Sequence, residues 1–226
     1  MSLETNYNDI KQRIEQAANR VNRDAKDIQI IAVTKYVSVE TAKKVIDLGV
    51  KHIGENRTDG FLNKYNQIDQ DVEWHFIGTL QSRKVRDIIG YVDYIHSLDR
   101  ISLAKEINKR ADRKIKCFVQ VNTSGEESKH GLEVNDVISF VKSLENFNNI
   151  EVVGLMTMAP LTDNEDVIRN CFKSLRSLKE EIQQLNLLYA PCQYLSMGMS
   201  NDFEIAIEEG ATHIRIGTSL VGKEIN

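Results

Sequence analysis

The sequence predicts an α/β protein, a single TIM-type (β/α)8 barrel with an extra N-terminal helix. Short apolar runs of strand character alternate with longer amphipathic stretches from Asp27 to the end of the chain, and strict alternation implies a parallel sheet with crossover helices. Eight such runs within 226 residues suit a closed barrel better than an open sheet. No linker, low-complexity segment or change of composition breaks the chain, and it holds only two prolines, so residues 1–226 are expected to form one domain. A doubly wound open sheet with more strands than usual is the alternative architecture.

The N-terminal stretch "MSLETNYNDIKQRIEQAANRVN" places Tyr7, Ile10, Ile14, Ala17, Ala18 and Val21 on one helical face, which predicts an amphipathic helix and excludes a secretion signal with an apolar core. The strands then follow in order as "IQIIAVT" from 28, "KHIGEN" from 51, "WHFIG" from 74 and "YIHSL" from 94. They continue as "IKCFVQVNT" from 115, "VVGLMT" from 152, "QYLSMG" from 193 and "HIRIGT" from 213. Among the intervening helices, the clearest carries Val167, Phe172, Leu175, Leu178, Ile182 and Leu185 on one face, and "TDNED" before it is a helix-start signal.

Composition narrows the function. The formal charge is −4, with both signs spread along the chain and no basic block, so neither nucleic acid nor a membrane surface is an expected partner. No apolar run approaches the roughly 20 residues that span a bilayer. The cysteines, Cys117, Cys171 and Cys192, are odd in number and lack metal spacing, which points to a reduced, cytoplasmic protein with Cys117 as a core residue. Helices that are acidic and free of apolar patches predict a monomer.

A barrel of this class places its site at the C-terminal ends of the strands, so the residues leaving each strand can be read as a ring. They are Lys35, Asn56, the Gly78–Gln81 turn, Ser97, Asn122–Ser124, Met156–Met158, the "SMGMSND" turn and "RIGTS". Loops after strands seven and eight are the usual phosphate site of the fold. There, Gly198 permits a tight turn, Ser200, Asn201 or Asp202 can cap the next helix, Gly217 allows close backbone approach and Thr218 offers a hydroxyl. Each turn alone reads equally well as an ordinary cap; the adjacent pair is what suggests an anion.

Arg215 is in phase with His213 and Gly217, between Ile214 and Ile216. It either faces the barrel interior and needs an acceptor, or forms a buried salt bridge or turns toward the helices. Lys35 ends the apolar first strand, where desolvation would lower its pKa and free the amine for attack on an aldehyde. With a phosphate cradle and Arg215 in the neighbouring strand, the mouth resembles a receptor for a phosphorylated aromatic aldehyde. The competing reading, a lysine that snorkels from the rim, stands level with it on physics alone.

The segments "AVTKY", "HIGENR", "WHFIGTLQSRK", "VNTSGEESKHG", "GLMTMAP" and "LSMGMSNDFEIAIEEGATHIRIGTSLVG" together resemble the pyridoxal phosphate homeostasis proteins, barrels similar to the N-terminal domain of alanine racemase. The likeness runs from about Ile28 to Gly222. It implies pyridoxal 5'-phosphate as cofactor, Lys35 as the Schiff-base lysine and Arg215 as partner of the pyridine nitrogen. It further implies Ser200, Gly217 and Thr218 as phosphate ligands, with Asn56 and Met156 lining the ring pocket. Thr79 stands where the family usually has proline, Arg83 where it has asparagine, and Asp59-Gly60 where it more often has Gln-Glu; none of these touches the lysine or the phosphate turns.

An arginine does not surrender its proton, so a ring nitrogen facing one stays unprotonated and the ring is a weaker electron sink. The resemblance therefore implies a protein that holds and hands over the cofactor in intracellular homeostasis, without robust catalysis and with pyridoxal phosphate-dependent apoenzymes as recipients. A minimal amino-acid racemase is the alternative; racemases of this barrel type add a tyrosine from a C-terminal domain, and this sequence ends at Asn226. A metal-dependent hydrolase built on His75, His96 and His213 is disfavoured by the lack of a His-x-His pair on strand one and of carboxylates at the strand ends; His75 is expected in the core or rim. Met156, Met158, Met197 and Met199 are expected as barrel filling, and "NTSGEESKHGL" as a solvated loop, the alternative being that its Lys129 receives the cofactor in transit.

Overall fold

The computed structural model describes residues 2–126 and 129–224. Strands β1 (Gln29–Val33), β2 (His52–Glu55), β3 (Glu73–Phe76), β4 (Tyr94–Leu98), β5 (Ile115–Asn122), β7 (Ile150–Met156), β8 (Tyr194–Ser196) and β9 (His213–Ile216) pair in parallel in the order β4-β3-β2-β1-β9-β8-β7-β5, and β4 pairs with β5 to close the ring. The open-sheet alternative is thereby excluded. One strand was not expected. β6 (Leu132–Glu133) pairs with the end of β5 outside the ring, and it begins at the end of the loop read as solvated.

Alternation along each strand divides its side chains between two environments. Ile53 of β2, Trp74 and Phe76 of β3, Ile95 of β4, and Ile214 and Ile216 of β9 face outward into the main core beneath the helices. Tyr94, Phe118, Val153 and Met156 form a separate apolar cluster, while His52, His75, His96, Ser196, His213 and Arg215, all buried, share the inward parity. The interior is therefore much more polar than the branched aliphatic layers usual in this fold. Gly154 is required by packing, because a Cβ there would lie 2.1 Å from the carbonyl oxygen of Tyr194 on β8.

Helices α1 (Leu3–Arg20), α2 (Val39–Asp47), α3 (Thr58–Tyr65), α4 (Val85–Ile88), α5 (Ile101–Arg110), α6 (Val137–Lys142), α7 (Glu165–Gln184), α8 (Phe203–Glu208) and α9 (Thr218–Val221) connect or flank the strands. Ser2, Ser38 and Asn164 cap α1, α2 and α7 by accepting backbone N–H groups. On α1 the predicted apolar face is buried at Ile10, Ile14, Ala17 and Ala18, but Val21 is exposed because the helix ends one residue earlier. The three cysteines are buried thiols. Among the described residues, no helix is long and apolar enough to cross a membrane.

Ion pairs tie α8 to its neighbours. Arg13 and Arg20 of α1 reach Glu204 at 2.8 and 3.2 Å, and Arg20 also reaches Glu208 at 2.7 Å. From α7, Arg169 meets Glu208 and Glu209 at 2.7 and 2.8 Å, and Arg176 meets Glu209 at 3.0 Å. Exposed pairs of this kind contribute little singly, but a network fixes orientation. Here it orients the helix that follows the loop after β8.

Candidate functional site

Lys35 follows β1 in a turn at the C-terminal mouth and is exposed. Its Nζ lies 4.8 Å from the centroid of the Tyr36 ring, a cation–π contact. The desolvation expected from the apolar run before it is thus absent: the apolar strand ends at Val33, and the chain turns out into solvent before the lysine. What the fold supplies is a fixed position. Buried Thr34 donates to Glu55 Oε1 at 2.6 Å, and the same oxygen receives Lys64 Nζ at 2.8 Å, so a buried charged pair braces the residue immediately before Lys35. On the other side, the Tyr36 carbonyl accepts the Glu224 N–H, and the Glu224 carboxylate accepts from Ser38 and Thr41 at the start of α2. The Thr41 hydroxyl and the Ser38 N–H hold that carboxyl below its usual range.

Arg215 is 5 % exposed and points into the barrel. Its Nη1 donates to Ser196 Oγ at 2.6 Å and its Nη2 to the Thr157 carbonyl at 2.9 Å. The alternative of a buried salt bridge is not met, since both acceptors are neutral, and the opposing charge that acts on Arg215 is Asp202, at longer range. Desolvation pulls the guanidinium down to about 10 while Asp202 pulls it up, so Arg215 is a cation at neutral pH.

Behind Ser196 runs a line of imidazoles. Ser196 Oγ is 2.9 Å from His96 Nδ1, His96 Nε2 is 2.9 Å from His75 Nδ1, and His75 Nε2 is 2.9 Å from His52 Nδ1. Burial holds His75 and His96 well below the usual histidine pKa, and neighbouring positive groups add to the effect. His213 is lowered to about 3, also chiefly by burial. The three histidines proposed as a hydrolase metal set are not gathered on one point: His75 and His96 bond to each other, and His213 Nδ1 lies 2.9 Å from Thr212 Oγ1.

The loops after β8 and β9 meet. Ser219 Oγ donates to Ser200 Oγ at 2.8 Å, and the Arg215 N–H donates to the Gly198 carbonyl at 2.9 Å. Gly198 has φ +94°, and a Cβ there would lie 2.6 Å from Ala206 Cβ, so the turn needs glycine. Asp202 does not cap α8 as expected; its Oδ1 accepts the Met199 N–H at 2.6 Å within the turn. Thr218 is exposed at the start of α9, directly after Gly217. Val33 of β1 lies beside Gly217, at 3.7 Å from the place a Cβ would take, which puts the lysine turn and the β9 loop on one side of the mouth.

Met156 ends β7, buried against the interior cluster that includes Phe118. Asn56 sits half-buried just beyond β2, and its carbonyl closes on Gly78 so tightly that a Cβ there would come to 2.4 Å. All seven residues singled out in the sequence therefore occupy the ends of β1, β2, β7, β8 and β9. Ser196, Thr157 and Ser219 stand in turns that the sequence marked, but their hold on Arg215 and Ser200 was not foreseen, and the Thr34–Glu55–Lys64 brace was missed outright. A glutamate in "HIGE" with an otherwise buried pattern was the available signal for the brace. The Met cluster divides: Met156 and Met197 are buried, Met199 is exposed at 37 %.

The family model described as alanine racemase, N-terminal domain, matches residues 3–224. A pyridoxal phosphate homeostasis protein of Aquifex aeolicus is 42 % identical over 218 residues, covering 95 % of this chain and 95 % of that protein. A protein of unknown function from Bifidobacterium adolescentis has a crystal structure that superposes with a TM-score of 0.90 at 32 % identity, over 96 % of this chain and 94 % of that one. PipY of Synechococcus elongatus, in its structure with pyridoxal phosphate bound, superposes with a TM-score of 0.81 at 31 % identity, over 93 % of this chain and 100 % of that one. On this evidence the chain belongs to the pyridoxal phosphate homeostasis proteins, a family built on the alanine racemase N-terminal barrel.

Proposed function

We propose that this chain, as one barrel domain, binds pyridoxal 5'-phosphate at its C-terminal mouth, holds it as a Schiff base on Lys35, and serves intracellular homeostasis of the cofactor without robust catalysis. The observation that carries the reading is Arg215: a buried guanidinium, cationic at neutral pH, whose partners among the described residues are a hydroxyl and a carbonyl. Such a group suits a lone-pair acceptor like an unprotonated pyridine nitrogen.

The other residues fit the same ligand. Lys35, exposed in a braced turn, is accessible to an aldehyde. The Ser200 and Ser219 hydroxyls, Thr218, and the first N–H groups of α9, which have no partner within the helix, suit a phosphate at the mouth. Met156 and Asn56 stand on other strands of the same mouth, where they would flank the ring. When bound, the cofactor supplies a reactive aldehyde and an electron sink; the arginine weakens the sink, which supports storage and transfer over turnover. Cytoplasmic location, monomeric state and cofactor-dependent apoenzymes as recipients belong to the same proposal.

Reduction of the cofactor complex with borohydride, followed by peptide mapping, tests it. The expected result is a single adduct on Lys35, lost in Lys35→Ala. An adduct scattered over surface lysines would overturn the assignment, and amino-acid turnover at ordinary enzymatic rates, ~1–10³ per second, would replace the carrier role with a racemase.

A further inference from the structure

At the end of the barrel opposite Lys35, three electron-pair donors converge. We propose that His52 Nδ1, His75 Nε2 and Glu73 Oε2 form a binding site for a divalent transition metal, with Zn2+ the best-matched ion.

One ligand atom from each of the three residues lies within 4.8 Å of the other two. His52 Nδ1 is 2.9 Å from His75 Nε2 and 3.2 Å from Glu73 Oε2. A tetrahedral zinc with bonds of about 2.0–2.1 Å separates its ligands by roughly 3.3 Å, so small outward shifts would complete the geometry. β2 and β3 place them without adjustment of the backbone, because His52 pairs with Glu73 across the ladder and His75 follows two residues on, with the same parity.

Hydrogen bonding leaves this point short of protons. If His75 gives its proton to His96, its Nε2 is a bare lone pair, and the single His52 Nδ1–H must serve both that nitrogen and the Glu73 carboxylate. If His75 instead donates from Nε2, the His52 Nδ1 lone pair faces the carboxylate. Either polarity brings three donors of electron pairs to one place with one hydrogen among them. A dication satisfies all three at once, and it does so with His75 Nδ1–H donating to His96, the outer contact that orients metal-bound imidazoles.

Two imidazoles and one carboxylate form a donor set that leaves a further position for water. A cavity of about 400 Å³ opens at this mouth, with His52, Glu73, Tyr94, Tyr194 and His213 in its wall. Lys116 is the opposing charge: its Nζ lies 3.3 Å from the other Glu73 oxygen and 3.1 Å from the Tyr94 hydroxyl. Glu73 therefore bridges ammonium and metal, and removal of the ammonium should tighten the site. In this barrel type the N-terminal face serves stability, so the ion pins β2 to β3 and stabilises the fold by mass action.

The test is titration of the purified, chelator-stripped chain with Zn2+ by calorimetry, and with Co2+ by visible absorption. The expected result is one saturable site per chain, with the intense visible bands of tetrahedral Co2+. Affinity should fall at least about 100-fold in both His52→Ala and Glu73→Gln and rise in Lys116→Met. Loss of His96 as the outer contact should cost about 10–100-fold. Lys35→Ala should bind zinc unchanged. The side chain of Glu73 is 40 % exposed, so Glu73→Gln stays informative if His52→Ala fails to fold. No saturable binding, or binding that survives Glu73→Gln, overturns the site.

Discussion

Acid should unfold this protein through its interior, and His213 sets the scale. Burial lowers its pKa from 6.5 to about 3. The folded value lies below the unfolded one, so between these limits the unfolded chain binds more protons and stability falls as pH falls. Its contribution is fully present above about pH 6.5 and is lost on the way down to about 3. A shift of that size amounts to about 5 kcal/mol at most, or about 1.4 kcal/mol for each pH unit within the window. His75 and His96 shift in the same direction, so both add to the loss of stability in acid. Against a total stability of about 5–15 kcal/mol, a loss of this size makes cooperative unfolding in acid the expected outcome.

Urea unfolding followed by far-UV circular dichroism, at half-unit steps from about pH 7.5 down to 4.5, reads this slope directly. Chelator should be present and pyridoxal phosphate absent, so that no bound ligand adds its own pH dependence. His213→Asn removes one titrating group and should flatten the slope by about 1.4 kcal/mol per unit. The carboxylates Glu208 and Glu224, also lowered, act at more acidic pH, while Asp202, raised by burial, works against the histidine trend. A stability that is level between pH 6.5 and 5, or a slope unchanged in His213→Asn, would refute the account of a neutral, desolvated imidazole interior.

Three other substitutions probe the mouth. Lys64→Met leaves the Glu55 carboxylate buried with only Thr34 as donor and should cost about 3–5 kcal/mol in urea unfolding; Glu55→Gln added to it should restore part of the loss. Gly198→Ala forces a left-handed φ and a 2.6 Å contact with Ala206, so about 1–3 kcal/mol of stability should go, together with affinity for the phosphorylated cofactor over its unphosphorylated form in spectral titration. Ser196→Ala deprives Arg215 of its 2.6 Å acceptor and should cost about 1.5–3 kcal/mol, with a shift in the absorption band of the bound cofactor if Arg215 addresses its ring.

The barrel was legible because parallel strands buried on both faces read as apolar runs and crossover helices carry a 3.6-residue pattern. The two-residue β6 was not, since a strand of that length is made by its neighbour's edge rather than by its own pattern. The ring of candidate residues followed from a single rule, that chemistry sits where strands end, and the family resemblance then singled out Lys35, Asn56, Met156, Ser200, Arg215, Gly217 and Thr218 within it. Its weak point was the environment of each. Whether Lys35 is buried depends on where the strand stops, and Val33 rather than Lys35 is the last paired residue.

The partners of Arg215 were harder to see for a different reason. Ser196 and Thr157 come from β8 and the segment after β7, far apart in the chain, and neither residue type signals a buried cation. The imidazole line shows the same limit from the other side. His52, His75 and His96 sit on β2, β3 and β4 at positions that look unrelated in the sequence, each one strand along and two residues past the register partner of the last. Periodicity tells which face a residue occupies; only the register between strands tells which residues meet. That is why the mouth could be anticipated from one lysine and two glycine turns, while the polar column beneath it, which carries both the acid sensitivity and the proposed metal site, could be found only once the strands were set side by side.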